Sequence, residues 1–254
     1  MIGIDLGSRS VKIVQMDGKD IVNHAVYDTI SFYRKFGKTG KSGLNLSLIE
    51  MGFASDQLMI ATGYGKITVQ IEGAVHIPEI QAHTAGAVFQ SGLSDFTLLD
   101  IGGQDTKVIK VRDSQVIDFI TNDRCAASSG RYMENMADVL GIDLTELSLY
   151  GTEPVELNST CAIFGETEII ARIIEGHSVS RLAAGVNYSL YKRFSNYLKK
   201  YNSKIILVSG GVAMNTALLE IIAKETGCQV TKLLKPQLNG AIGCCVYRTE
   251  GGRL

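Results

Sequence analysis

The sequence predicts an α/β fold made of two similar halves, and three observations predict it. One turn pattern occurs twice, in the segments 5–12 and 100–107. Each copy starts a run of apolar strand, tight glycine turn, second strand, second turn and third strand. A further buried strand, Ile205–Val208, enters a third glycine turn that leads into a helix ending near Thr226.

The two copies superimpose when the sequence is shifted by 95 residues. The matched pairs are Asp5 and Asp100, Gly7 and Gly102, Lys12 and Lys107, and Val22 and Ile117. Similarity of this kind indicates an internal duplication. We therefore expect two subdomains, 1–93 and 94–254, with a nucleotide cleft between them and with the terminal helix able to pack back on the first.

The remaining elements follow from the hydrophobic pattern. The first half is expected to contain a helix at Thr29–Phe36, a second helix ending near Met51, a strand at Leu58–Ala61, and a helix from Pro78 to about Gln90. The segment 37–43 superficially resembles a P-loop, but no strand precedes it and Lys35 stands where the first glycine belongs. We interpret this segment as a solvated loop. In the second half we expect a strand at 115–121, helices after Cys125 and Cys161, and a closely packed terminal helix around 240–243.

The repeated turns are candidate phosphate sites. Glycine lets the backbone approach a phosphate, whose oxygens then accept hydrogen bonds from the N–H groups of the turn. Asp5 and Asp100 each end a strand, where a carboxylate could hold Mg²⁺ through water. A single such turn is more typical of an ordinary hairpin, whereas two copies in register favour phosphate binding. The turn Ser209–Asn215 is a candidate site for adenosine and its α-phosphate.

Composition restricts the class of protein. The chain has 254 residues, 45% of them hydrophobic, with 25 basic and 26 acidic residues. The near-zero net charge gives no indication of nucleic acid or an anionic membrane surface as a partner. No segment approaches the roughly 18 apolar residues of a membrane span, and the start of the sequence lacks a basic region followed by an apolar run. We expect a cytoplasmic protein.

The five cysteines do not suggest a disulfide framework. Cys125 and Cys161 each lie near the start of an expected helix, where the helix dipole favours a thiolate or an anionic cluster. Burial without reactivity is equally typical of free cysteine, and we assign Cys228, Cys244 and Cys245 to packing. Two thiolates cannot complete the four-cysteine shell of a [4Fe-4S] cluster, but a two-fold dimer supplies four.

The glycine turns, in their order, resemble the phosphate and adenosine motifs of the sugar kinase, actin and Hsp70 superfamily. Four further segments resemble the 2-hydroxyacyl-CoA dehydratase activator family, or component A, which is similar to the ATPase subunits of benzoyl-CoA reductase. The segments are Ala61-Thr62-Gly63-Tyr64-Gly65-Lys66, Glu79 through Ala87, Asp123-Arg124-Cys125-Ala126-Ala127, and Cys161 through Glu168. The likeness covers nearly the whole chain.

The resemblance implies a duplicated actin-like, ribonuclease H-like ATPase fold that binds ATP or ADP with Mg²⁺. It also implies a homodimer that shares one [4Fe-4S] cluster through Cys125 and Cys161. The family uses ATP hydrolysis to pass one low-potential electron to a dehydratase or reductase that acts on an acyl-CoA, and reduced ferredoxin or flavodoxin recharges it. Two departures, Ser128 in place of a family glycine and Gly165 in place of a frequent alanine, leave the geometry of the cluster open.

The candidate site residues fall into three groups. Proposed for catalysis are Asp5, Asp100 and Gln104, the last to orient the attacking water. Proposed for nucleotide binding are Gly7, Ser8, Arg9, Ser10, Lys12, Gly102, Gly103, Gly210, Gly211, Val212 and Asn215, and proposed for the cluster are Cys125 and Cys161. Lys12 is also consistent with a solvated strand lysine, and Gln104 with a simple turn residue.

Other residues and functions stay open at this point. Glu166 and Glu168 fit the first turn of a helix better than acid–base work. A lone histidine on a helix is more often packed or exposed than catalytic, so we assign His83 no role. A small-molecule kinase of the same superfamily and a nucleotide-gated interaction protein without redox chemistry remain alternative functions.

Overall fold

The computed structural model describes residues 1–40, 43–54, 56–63, 70–122, 129–158 and 162–247. The strands in these residues are β1 (Ile2–Leu6), β2 (Ser10–Asp17), β3 (Asp20–Asp28), β4 (Lys38–Thr39), β5 (Leu44–Asn45), β6 (Met59–Gly63), β7 (Ala74–His76), β8 (Phe96–Ile101), β9 (Thr106–Arg112), β10 (Gln115–Asn122), β11 (Ile205–Ser209) and β12 (Gln229–Lys232). The helices are α1 (Thr29–Phe36), α2 (Glu79–Ser91), α3 (Gly130–Leu140), α4 (Leu144–Leu147), α5 (Ala162–Ile174), α6 (Val179–Tyr201), α7 (Thr216–Thr226) and α8 (Asn239–Val246).

Two five-stranded sheets share one topology. Their strand orders are β3-β2-β1-β6-β7 and β10-β9-β8-β11-β12. In each sheet the first strand of the repeat pairs antiparallel with the second and parallel with a later strand. The three-strand runs that the sequence shift superimposes are therefore equivalent in the fold.

The chain forms two compact units. The first contains residues 1–94, 113–116 and the segment from Gln237 onward, and the second contains 95–112 and 117–236. The terminal segment thus groups with the first unit although it follows the second along the chain.

The first unit buries β1 between its neighbours. All five residues of β1 are buried, as expected for a central strand covered on both faces. Phe32 and Phe36 of α1 pack into the same core. Helix α8 covers the sheet with Ala241, Ile242 and Cys244, which are at most 1% exposed.

The second unit has the larger core among the described residues, and strands β8, β9 and β11 share it with side chains from the five helices α3 to α7. The participating residues from the helices include Tyr132, Met136, Leu190, Phe194 and Leu218. The long helix α6 lies within this core along much of its length, because twelve of its residues are buried.

Two sequence expectations in the first half are wrong. The helix expected to end near Met51 is a three-residue 3-10 turn, Ile49–Met51. It stops at Gly52, whose φ of +81° is left-handed and cannot continue a right-handed helix. The expected solvated loop contains β4, which pairs antiparallel with β5. Within the described residues, no helix combines the length and apolar character that a membrane span requires.

Candidate functional site

Asp5 and Lys12 form an ion pair at the first glycine turn. They are directly opposite each other on β1 and β2, and Lys12 Nζ lies 3.3 Å from Asp5 Oδ2. Asp5 is only 3% exposed. Burying a carboxylate is costly unless it is paired, so the lysine offsets a charge at the end of the strand.

Gly7 allows the turn between β1 and β2 to stay tight. A Cβ at this position would lie 2.6 Å from the carbonyl oxygen of Ser10 and 2.7 Å from Lys12 Nζ. Thr29 Oγ donates a hydrogen bond of 2.7 Å to the Gly7 carbonyl. Any larger residue at Gly7 would displace the turn or the ammonium group.

The other residues proposed in this turn have mixed surroundings. Ser8 and Ser10 are half-buried, and Arg9 is exposed. The Arg9 guanidinium lies 2.9 Å from Asp28 Oδ2. Asp28 also caps α1, and its hydrogen bonds with Ser31 lower the pKa of its carboxyl, with a smaller contribution from Arg9.

Asp100 occupies the equivalent place in the second unit, in a more crowded polar cluster. Lys107 is opposite it on β9, with Nζ 3.7 Å from Asp100 Oδ2 and 2.6 Å from Asp105 Oδ2. Ser209 Oγ donates a 2.6 Å hydrogen bond to Asp100 Oδ1. Asp100, Lys107 and Ser209 are all at most 3% exposed, so this carboxylate is held from two sides.

The second glycine turn is hydrogen-bonded to the start of α3. The backbone N–H groups of Gly130 and Arg131 donate to the carbonyls of Gly102 and Gly103 at 2.9 and 3.0 Å. The hydroxyl of Ser129, which is fully buried, donates to the Gly103 carbonyl at 3.0 Å. Two N–H groups that a helix start leaves unpaired are thereby satisfied by the turn.

The third glycine turn lies beside the second within the same unit. Gly210 has a φ of +84°, and a Cβ there would collide with the Ile101 carbonyl oxygen. Gly211 differs, because a Cβ there would meet no atom within 4 Å. The turn therefore needs glycine at 210 for its backbone, whereas Gly211 faces open space.

Asn215 and Val212 are two of the buried residues of this turn. Asn215 Oδ1 accepts from the N–H of Leu218 at 2.8 Å, which caps α7, and its Nδ2 donates to Asn187 Oδ1 at 2.8 Å. Val212 is buried. Both side chains hold the turn in place.

The three remaining proposed residues are Gln104, Cys125 and Cys161. Gln104 is exposed at the tip of the second glycine turn. Cys125 and Cys161 lie outside the described residues, as does Ser128.

The helices that follow the two cysteines, α3 and α5, are joined by a 2.5 Å hydrogen bond from Asn135 Nδ2 to Glu166 Oε1. Glu168 accepts the N–H of Asn158 at 2.9 Å.

Sequence reasoning missed two residues beside Asp5. Ligand atoms of Asp5, Glu79 and His83 all lie within 4.8 Å of one another. Glu79 and His83 are one turn apart on α2, with Oε1 and Nε2 separated by 3.9 Å. Their i, i+4 spacing on a helix places them on the same face and was a signal available in the sequence. Lys107 and Asp105 were likewise not proposed as site residues, and Ser209 was named only as the first residue of the adenosine turn.

The three cysteines in the described part of the chain are free thiols. Burial raises the pKa of Cys245 to about 12 and raises that of Cys244 well above its usual value. Cys228 is partly exposed and donates to the Ser203 carbonyl at 2.9 Å. Cys244 and Cys245 are thus packing residues of α8.

Comparison with known proteins gives near full-length matches. The model of the BadF/BadG/BcrA/BcrD ATPase family matches residues 2–247. The 2-hydroxyisocaproyl-CoA dehydratase activator of Clostridioides difficile is 32% identical over 255 residues, which cover 97% of this chain and 93% of that protein. The activator of lactoyl-CoA dehydratase from Anaerotignum propionicum is 33% identical over 264 residues, covering 99% and 98%.

Solved structures confirm the expected fold class. The activator of the 2-hydroxyisocaproyl-CoA dehydratase from Clostridium difficile, with bound ADPNP, superimposes with a TM-score of 0.83 at 31% identity, covering 97% of this chain and 93% of that chain. A ROK family glucokinase from Streptomyces griseus has a TM-score of 0.58 at 13% identity, covering 96% and 97%, and shares the fold alone. The two-sheet α/β architecture is that of the actin-like ATPases.

Proposed function

Because the chain belongs to the BadF/BadG/BcrA/BcrD ATPase family, we propose that it activates a partner 2-hydroxyacyl-CoA dehydratase or a benzoyl-CoA reductase-like enzyme. In this proposal, ATP hydrolysis is coupled to the transfer of one low-potential electron from a [4Fe-4S] cluster shared by a homodimer. Reduced ferredoxin or flavodoxin restores the electron. Relatives named as dehydratase activators support the partner class.

The glycine turns are the proposed phosphate sites. Asp5 and Asp100 hold Mg²⁺ through water, which suits an ion that keeps most of its hydration shell. Ser209 and Lys107 fix the orientation of the Asp100 carboxylate. Lys12 has a flexible stem and a partly exposed side chain, so its ammonium can leave Asp5 for a phosphate oxygen. Gln104, exposed at the tip of its turn, orients the attacking water.

Cys125 and Cys161 are the proposed cluster ligands. Helices α3 and α5 begin at Gly130 and Ala162, shortly after the two cysteines, and helix N-termini favour anionic groups. The donor set therefore fits half of a four-thiolate shell, which a second subunit completes. When bound, the cluster would supply a single low-potential electron.

One observation carries the coupling between ATP and the cysteines. The carbonyls of Gly102 and Gly103, in the proposed phosphate turn, accept the first N–H groups of α3, the helix that follows Cys125. A change in this turn on hydrolysis would therefore act directly on the helix start, without an intermediate element. The bond between Asn135 and Glu166 extends the connection to α5.

The first test is iron content after purification without oxygen. We expect about four irons per dimer, lost when either Cys125→Ser or Cys161→Ser is introduced. Cys228→Ser is the matched control and should keep its iron, because Cys228 is partly exposed in the second unit and bonded to the Ser203 carbonyl. Wild type that stays free of iron after anaerobic reconstitution would contradict the proposal.

The second test addresses coupling. Ser129→Ala removes the side-chain hydrogen bond to the Gly103 carbonyl and leaves both cysteines in place. We expect normal iron content and ATP turnover, with about fivefold fewer electrons delivered per ATP, since one hydrogen bond contributes about 1 kcal/mol. An unchanged ratio of electrons to ATP would exclude this connection as the coupling route.

A further inference from the structure

Asp5, Glu79 and His83 form a mixed nitrogen and oxygen cluster inside the first unit. Asp5 ends β1, while Glu79 and His83 occupy the first two turns of α2. Asp5 and His83 are 3% and 6% exposed. The cluster is therefore largely shielded from solvent, and its three ligand atoms lie within 4.8 Å of one another.

Gly240 of α8 keeps the space beside this cluster clear. A Cβ at Gly240 would lie 2.9 Å from His83 Nε2 and 3.0 Å from Asp5 Oδ2. The point that a Cβ would occupy therefore lies within about 3 Å of both ligand atoms. Substitution by any other residue would fill the space between the imidazole and the carboxylate.

The spacing suits direct coordination of one ion. Protein ligands lie about 2.0–2.2 Å from a zinc-class ion, so two ligands of one ion are at most about 4.4 Å apart. The 3.9 Å between Glu79 Oε1 and His83 Nε2 is already within that limit, and the bound of 4.8 Å for all three ligand atoms exceeds it by only about 0.4 Å. We propose that Asp5, Glu79 and His83 directly bind one divalent transition-metal ion of the Mn²⁺, Co²⁺ and Zn²⁺ class in the nucleotide-free protein.

The ligand chemistry decides which ions are preferred. Imidazole suits transition ions, whereas Mg²⁺ takes oxygen ligands and loses its water reluctantly. The site should therefore discriminate against Mg²⁺. This inference goes beyond the proposed function, in which Asp5 holds Mg²⁺ through water. It requires neither the [4Fe-4S] cluster nor electron transfer.

Lys12 competes with the ion for the same carboxylate oxygen. Its ammonium lies 3.3 Å from Asp5 Oδ2, the oxygen that also faces Gly240. An entering divalent ion must displace this positive charge. Removing the ammonium should therefore strengthen ion binding. If Asp5, Glu79 and His83 served only to stabilise the fold, the same substitution would not increase the affinity for an ion.

The test is a titration with Co²⁺, without nucleotide, on the full chain carrying Cys125→Ser and Cys161→Ser. The double substitution removes thiolates that would otherwise bind Co²⁺ and give a charge-transfer band in the near ultraviolet. We expect one Co²⁺ per chain, with visible bands typical of nitrogen and oxygen ligands and without the thiolate band. A large excess of Mg²⁺ should not displace it.

Three variants in the same background make the outcome specific. His83→Ala should weaken Co²⁺ binding at least about tenfold, and Lys12→Met should strengthen it. His177→Ala is the matched control, because His177 Nε2 also lies near a glutamate, 3.6 Å from Glu175 Oε2, but in the second unit. Circular dichroism and thermal unfolding verify that each variant is folded. Absence of stoichiometric binding, or equal affinity of wild type and folded His83→Ala, would overturn the inference.

Discussion

Asp100 and Lys107 face each other across β8 and β9, and their charged groups lie 3.7 Å apart with both side chains almost fully buried. Asp5 and Lys12 repeat the relationship on β1 and β2 at 3.3 Å. The duplication has therefore preserved an ion pair as well as a turn. The pair in the second unit is the more buried of the two and also includes Asp105.

Lys107→Met should lower the free energy of unfolding by about 3 kcal/mol, because it leaves the buried Asp100 carboxylate without its cation. The measurement is urea denaturation followed by circular dichroism. Lys38→Met serves as the control. Lys38 is exposed and lies 3.6 Å from Glu50, and such surface pairs contribute about 0–1 kcal/mol. Equal stability of the two variants would show that Lys107 does not offset a buried charge.

Gly210→Ala and Gly211→Ala should have different effects, the first on the stability of the fold and the second on the affinity for nucleotide. Gly210→Ala should destabilise the protein by about 1–3 kcal/mol, since its φ is +84° and the Ile101 carbonyl occupies the space of a Cβ. Gly211→Ala should unfold at the same urea concentration as wild type but bind an ATP analogue at least about tenfold more weakly, or about 1.4 kcal/mol. Unchanged affinity in calorimetry would place the nucleotide away from Gly211.

Gly243→Ala should destabilise the first unit by about 3 kcal/mol or more, as expected for overpacking a close contact. A methyl group there would collide with the Ala82 carbonyl of α2. Gly165→Ala is the matched helical control. Its methyl group would meet only the flexible Met136 side chain, at 3.4 Å from Sδ, and alanine is favoured over glycine in helices by about 1 kcal/mol.

Thermal unfolding compares the two glycine variants. Gly165→Ala should equal or exceed wild type in midpoint temperature, and Gly243→Ala should fall well below it. If both variants behaved alike, the approach of α8 to α2 would not be the reason for glycine at 243.

Cys244 and Cys245 should resist alkylation in the native protein, whereas Cys228 should react. Burial raises the pKa of Cys245 to about 12, so at pH 8 its thiolate fraction is about one in ten thousand, and the reactive thiolate forms only as the pH rises toward that value. Peptide mass mapping after iodoacetamide treatment measures this. Denaturant should make all three react, and rapid native labelling of Cys244 would contradict its assignment to the core.

The sequence pattern was sufficient for the elements with strong periodicity or a repeated turn. The repeat in residues 5–12 and 100–107 predicted the two equivalent sheets, because two apolar runs joined by a glycine turn usually form a pair of antiparallel strands. The helix expected to end near Met51 does end there, at Gly52, but it is only a three-residue 3-10 turn, because Leu44 and Asn45 before it pair with β4 as strand β5. Local composition did not show that β4 and β5 would pair.

Part of the site could not be predicted because it depends on tertiary packing. The i, i+4 spacing of Glu79 and His83 was visible, but their approach to Asp5 depends on where α2 packs on the sheet. Ser209 comes next to Asp100 only because β11 pairs with β8. The roles proposed for Gln104, Cys125 and Cys161 stay predictions that the experiments above address.

The return of the chain to its first unit has a consequence for biosynthesis. Helix α8 supplies Ala241, Ile242 and Cys244, which are essentially fully buried, to the core around β1 and β2. Domains fold as units while the chain emerges from the ribosome, and the second unit has all of its residues once Pro236 has been translated. The strands β1 and β2, although synthesised first, therefore reach their native packing only after α8 has been synthesised.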